Sequence, residues 1–169
     1  MRRFLILLFF TAAPVWVFGS VKTLEVSSQR YWTSIGHCNL DIMRLGGTLL
    51  RPPDGHGAAA LPDAKKMGVL ARAFKRDFDA FEKISPREPA LKPLHNQLWN
   101  AYAAISEGTS EMAAGLKAHD RSRYKYFFFR TALYVRDARD TVARMELIEK
   151  RSSGDGFAAA KKAYSARMK

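Results

Sequence analysis

This sequence predicts an all-α fold: an antiparallel four-helix bundle behind an N-terminal hydrophobic export or anchor helix, with a short basic C-terminal helix or tail. Three observations carry the prediction. Apolar residues recur at spacings of three and four through most of the chain after Val21. Clusters of Pro and Gly interrupt that recurrence. No stretch of useful length alternates apolar and polar residues as a half-buried strand would.

The chain divides into residues 1–21, 22–151 and 152–169. Met1-Arg2-Arg3 precedes an apolar run from Phe4 to Val21, and no further charge occurs until Lys22. A positive start and an apolar run are what insertion requires when the amino end stays in the cytoplasm. At about 18 residues the run is at the lower edge of what spans a bilayer. It reads either as a signal peptide cut before Ser20, with Val17 and Gly19 at the small-residue positions, or as a retained anchor. Both outcomes predict that the chain from Val21 onward lies outside the cytoplasm, periplasmic and soluble if cut or tethered to the inner membrane if not.

The first helix is expected from about Thr23 to Leu50. Its stripe is Tyr31, Ile35, Cys38, Ile42, Leu45 and Leu49, widened by Trp32 and Met43. Two prolines and two glycines between Arg51 and Gly57 break it. Leu61-Pro62-Asp63 restarts the chain, with proline suited to a first helical turn. The second helix carries Met67, Leu70, Phe74, Phe78, Phe81 and Ile84 towards the core. Asp77, Asp79 and Glu82 lie among Arg72, Lys75, Arg76 and Lys83, which reads as a solvated charged face.

Ser85-Pro86-Arg87-Glu88-Pro89 is the second break, short enough to demand an antiparallel neighbour. The third helix presents Leu91, Leu94, Leu98, Tyr102, Ile105, Met112 and Leu116. Gly108 and Gly115 are either soft points or places where another helix comes close. Ala118-His119-Asp120 is the third junction, with Asp120 as N-cap of the next helix.

The fourth helix, Arg121 to Arg151, is the organising element. Tyr124 to Lys150 contains neither Gly nor Pro. One stripe is Tyr124, Phe128, Thr131, Val135, Ala138, Val142 and Met145. A second is Phe127, Tyr134, Thr141 and Ile148, with Leu133 and Leu147 alongside. Its Phe-rich first half is expected at the bundle centre between two neighbours. Its second half, with i,i+4 pairs Arg136–Asp140, Asp140–Arg144 and Glu146–Lys150, is expected to emerge into solvent. The tail Phe157 to Lys169 forms a short amphipathic helix or frays.

Charge supplies the functional expectation. The chain has 28 Lys and Arg against 16 Asp and Glu, net +12. Such a balance means either a solvated basic surface or contact with an anionic partner. Most of the excess lies after Ala118, interleaved with Tyr124, Tyr126, Phe129 and Tyr164. That interleaving superficially suits nucleic acid, but an exported chain rarely meets it, so no nucleic-acid partner is expected. Anionic lipid, an envelope polymer or a protein partner fits better, with Lys161, Lys162, Arg167 and Lys169 as the candidate contacts.

Chemistry-bearing motifs are missing. The one thiol, Cys38, cannot close an intramolecular disulfide and reads as a buried apolar residue or an interchain link. His37, His56, His95 and His119 fall in no metal-ligand spacing. Without Cys-x-x-Cys-His there is no covalent haem site, and paired Glu-x-x-His motifs for a di-iron centre are missing too. No nucleophile elbow or phosphate loop is found. Catalytic residues, cofactors and metals are therefore each predicted as none. The expected activity is binding, by an exported or membrane-tethered bundle. The alternative is a small-molecule or haem carrier using the bundle interior, with a Met and a His as axial ligands, such as Met43 with His119 or Met67 with His95.

Overall fold

The computed structural model describes residues 23–49 and 61–152. Most of these lie in four α-helices: α1 (Ser28–Leu49), α2 (Ala64–Phe81), α3 (Lys92–Lys117) and α4 (Arg121–Ser152). Two three-residue strands, β1 (Leu24–Val26) and β2 (Ile84–Pro86), and a 3₁₀ turn at Pro89–Leu91 complete the described chain.

The helix starts follow local capping chemistry. Asp63 caps α2 by accepting from the Lys66 amide at 2.7 Å, so Pro62 precedes the helix and does not occupy its first turn as expected. Asp120 caps α4 as predicted, accepting from the Arg123 amide at 2.9 Å. Between α3 and α4 the chain reverses within three residues, with His119 at φ 56°.

The first helix begins later than its periodicity suggested. Residues 24–26 are extended and pair in parallel with 84–86, Leu24 opposite Ile84 and Val26 opposite Pro86. Val26 and Ile84 turn into the core while Leu24 faces water. A strand of three residues is too short to show an alternating pattern, so neither strand is visible in the sequence. Pro86 fits because a sheet edge tolerates the missing donor. The Leu24 amide bonds to the Lys83 carbonyl at 2.9 Å, and Lys92 pairs with Glu25 at 2.6 Å.

Packing follows the predicted stripes closely. Tyr31, Trp32, Ile35, Cys38, Ile42 and Leu45 of α1 are buried, whereas Met43 is exposed. From α2, Met67, Phe74, Phe78 and Phe81 enter the core, and the third predicted stripe is buried throughout, Leu91 from the 3₁₀ turn and the rest from α3. Phe74 meets Tyr102, Phe78 meets Trp99, and Phe81 meets His95, so α3 is traversed backwards as α2 is followed forwards.

Two glycines mark close approach in the seam between α3 and α4. A Cβ at Gly115 would lie 3.0 Å from the Tyr124 amide nitrogen, and one at Gly108 would lie 2.1 Å from Thr131 Oγ1. Both glycines are therefore places of close helix approach. On α4 the stripe Tyr124, Phe128, Thr131, Ala138, Val142 and Met145 is buried, with Val135 half-buried. The burial continues to Thr141 and Glu149. This corrects the expectation that the second half leaves the core: one face stays buried to the last turn, and only the opposite face is charged. The anticipated Arg136–Asp140 pair is replaced by Arg136–Asp137 at 3.9 Å, while Arg144 reaches Gln97 of α3 at 3.2 Å.

Candidate anionic-surface interface

The outward face of α4 is built by a mismatch between composition and burial. Residues 121–136 contain five Lys and Arg and no carboxylate. They also contain more aromatic and aliphatic bulk than one buried stripe can absorb. Tyr124 and Phe128 take the core positions, and Phe127 and Tyr134 are half-buried at its margin. Tyr126, Phe129, Leu133 and Leu147 are left 50 to 62 % exposed. At 100° per residue these four fall within about 60° of one another, so they share one outward sector. Leu133 and Leu147, expected beside the second core stripe, face solvent because α3 and α1 cover only the other side of the helix.

Cations flank this sector. The Arg130 guanidinium lies 6.0 Å from the ring centres of both Phe127 and Tyr134 and 3.4 Å from Glu107. Arg123 is held by Glu111 of α3. These contacts hold two of the five cations beside the apolar sector. Tyr124, counted in sequence among the aromatics interleaved with basic residues, is fully buried and takes no part. Burial pushes its hydroxyl up in pKa. Of the interleaved set, only Tyr126 and Phe129 reach the described surface.

Charge is also unequal between the two ends of the helices. Segments 41–49, 61–72 and 108–130 come together at one end and carry nine Lys and Arg against four Asp and Glu. Segments 23–32, 81–99 and 140–152 form the other, with seven against six. The Tyr126–Leu133 patch belongs to the basic end. At the opposite end Ser28 donates to Glu149 across 121 residues of sequence. That bond brings the first turn of α1 to the last turn of α4, so the chain leaves towards residue 22 and towards residue 153 from the same end. The Glu149 carboxylate there also faces the positive pole of α1. The tail contacts Lys161, Lys162, Arg167 and Lys169, and the hydrophobic segment 1–21, lie outside the described residues.

The interior has the chemistry of packing. Cys38 is wholly buried; burial raises its thiol pKa, and Asp77 and Asp41 push the same way. Asp41 is buried too, with Oδ1 bonded to Arg44 at 2.9 Å and Oδ2 unpaired, and its pKa is raised by burial against the pull of Arg44. His95 of α3 lies in the core near Phe81 and Tyr31. It is 6 % exposed, bonded to the Tyr31 hydroxyl, and burial lowers its pKa to about 4.

Neither of the two Met–His pairs forms a buried site. Met43 and His119 are both exposed. His95 lies against Phe81 at one end of α2, fourteen residues from Met67, about 21 Å of helix. Among the described residues no group of three His, Cys, Asp or Glu is placed to hold a metal ion. None of their helices is long and apolar enough to cross a membrane. Comparison with known protein families, curated proteins and solved structures gives no match to this chain.

Proposed function

We propose that this chain is an exported or membrane-tethered antiparallel four-helix bundle that acts by binding an anionic envelope surface. It lies along that surface with the outward face of α4. The observation that carries this reading is the exposed Tyr126, Phe129 and Leu133 on a helical segment whose charges are all positive. A soluble domain rarely leaves such a patch uncovered without a partner. Aromatic and aliphatic side chains between cations suit the headgroup boundary of an anionic bilayer. The patch repels a second copy of itself by charge, which favours an anionic partner over self-association.

The shared exit of the two ends of the described chain supports the same reading. We take the basic tail and the hydrophobic N-terminal segment, both expectations of the sequence, to meet the same membrane. The side-on α4 face and Lys161, Lys162, Arg167 and Lys169 would then act as one surface. Each basic residue near an anionic bilayer is worth about 1 kcal/mol.

Co-sedimentation of the chain from Val21 onward with phosphatidylglycerol-containing and neutral vesicles tests the proposal. Binding is expected to anionic vesicles alone, to weaken with salt, and to weaken further without residues 157–169. Equal binding to neutral vesicles, or failure to bind either kind, contradicts it.

A further inference from the structure

A second surface, on α2 and α3, has a different character. Between the start of α2 and the end of α3 runs an open groove of about 410 Å³. Its floor is Ala64 and Gly68 from α2 with Ala113 and Ala114 from α3. Lys65 and Arg72 stand along one bank and Lys117 on the other, and no carboxylate lines it. None of these three cations makes an ion pair among the described residues. Arg72 folds back towards Gly68, its guanidinium nitrogen 3.5 Å from where a Cβ would be. The groove therefore joins a smooth apolar floor to three cations.

We propose that this groove docks an acidic amphipathic helix of a partner protein. Small residues on both helices let a third backbone approach closely. An apolar helix face seated on the floor leaves its flanking Glu or Asp beside Lys65, Arg72 and Lys117, the groove mode of helix recognition. The occupant is foreign to this chain by charge. Residues 1–22 carry three cations and no acid, 50–60 carry one of each, and 153–169 carry four cations and one acid. No segment outside the described residues is acidic, and a second basic copy is repelled. An envelope polysaccharide would find cations here but gain nothing from the alanine floor. Docking on α2 and α3 leaves the outward face of α4 available, so the protein would hold an acidic partner at an anionic surface.

The test uses a fluorescent synthetic amphipathic peptide with Leu and Ala on one face and Glu at the flanking positions, with a Lys-for-Glu version as control. Anisotropy is read with the chain from Val21 onward. The Glu peptide is expected to bind and the Lys peptide to fail. Gly68→Leu is expected to fill the groove and weaken the Glu peptide about tenfold or more, and K65E/R72E/K117E to abolish its binding. A Cβ at Gly68 meets only the flexible end of the Arg72 side chain, at ordinary contact distance, and leucine favours helix, so G68L is expected to keep the fold, checked by its circular dichroism. G68L is also expected to leave vesicle binding unchanged, which separates this proposal from the α4 reading. Equal binding of both peptides, no binding of either, or retention of the Glu peptide by G68L overturns the proposal. Uptake of dodecyl sulfate in place of the peptide also overturns it and assigns the groove to an acyl chain.

Discussion

The Tyr31 hydroxyl and His95 Nδ1 share a hydrogen bond of 2.8 Å across 64 residues of sequence, joining α1 to α3 beneath the ring of Phe81. It satisfies two polar groups in an otherwise apolar region, where a charged imidazole would be costly to bury.

Acid should therefore weaken the protein through His95. Its folded pKa of about 4 lies below the ordinary imidazole value of 6.5, so the unfolded chain binds the proton more readily. Stability is full above pH 6.5 and is lost as pH falls towards 4, by on the order of 3 kcal/mol. Urea midpoints at pH 7 and pH 4.5 measure this. H95F is expected to be less stable at pH 7, because Tyr31 loses its partner, and to show a flatter dependence over that window.

Asp41 should act with the opposite sign. A buried carboxylate with a raised pKa favours folding when protonated and costs stability once pH rises through its folded pKa. Asp41→Asn removes the buried charge while keeping an oxygen for Arg44. It is expected to raise stability at pH 7 by about 1 kcal/mol, read from the same urea curves.

The α3–α4 seam predicts unequal costs for two similar substitutions. Gly115→Ala meets backbone at 3.0 Å and 3.2 Å, which cannot step aside, and should cost about 2 kcal/mol or more. Gly108→Ala meets the Thr131 side chain. Thr131→Ala in the same chain is expected to relieve part of that clash, giving a favourable coupling in a double-mutant thermal denaturation cycle.

Cys38 should be silent. Wholly buried and held protonated, it is expected to react with Ellman's reagent only at the rate of global opening, and at once in denaturant. Rapid native labelling would contradict its placement, which leaves no route to a link between chains.

Much of this was legible in the sequence. The stripe Leu94, Leu98, Tyr102, Ile105, Met112 and Leu116 is core because a helical period is written along more than six turns, and length makes period unambiguous. The three-residue pairing of Val26 with Pro86 was not legible, since it depends on where α1 and α2 bring distant segments. Gly108 could be read only as ambiguous until Thr131 was known to sit against it. The outward face of α4 was hidden for another reason. Helical spacing separates Phe127, Phe128 and Phe129 onto different sides, but which of two candidate stripes is core and which marginal depends on where α3 lies. The charge bias between the ends likewise depends on how the helices reverse. The basic tail residues remain an expectation of the sequence.

The central claim, that the outward face of α4 lies on an anionic bilayer, is tested most directly by spin-label accessibility. In a Cys38→Ser background, single labels are introduced through Phe129→Cys, Leu133→Cys and, on the exposed face of α2, Val69→Cys. On adding phosphatidylglycerol vesicles, the labels at 129 and 133 should gain collisions with oxygen and lose collisions with a water-soluble nickel chelate, while the label at 69 stays unchanged. Unaltered accessibility at 129 and 133 in the vesicle-bound protein, or a change at 69 in their place, would contradict the account.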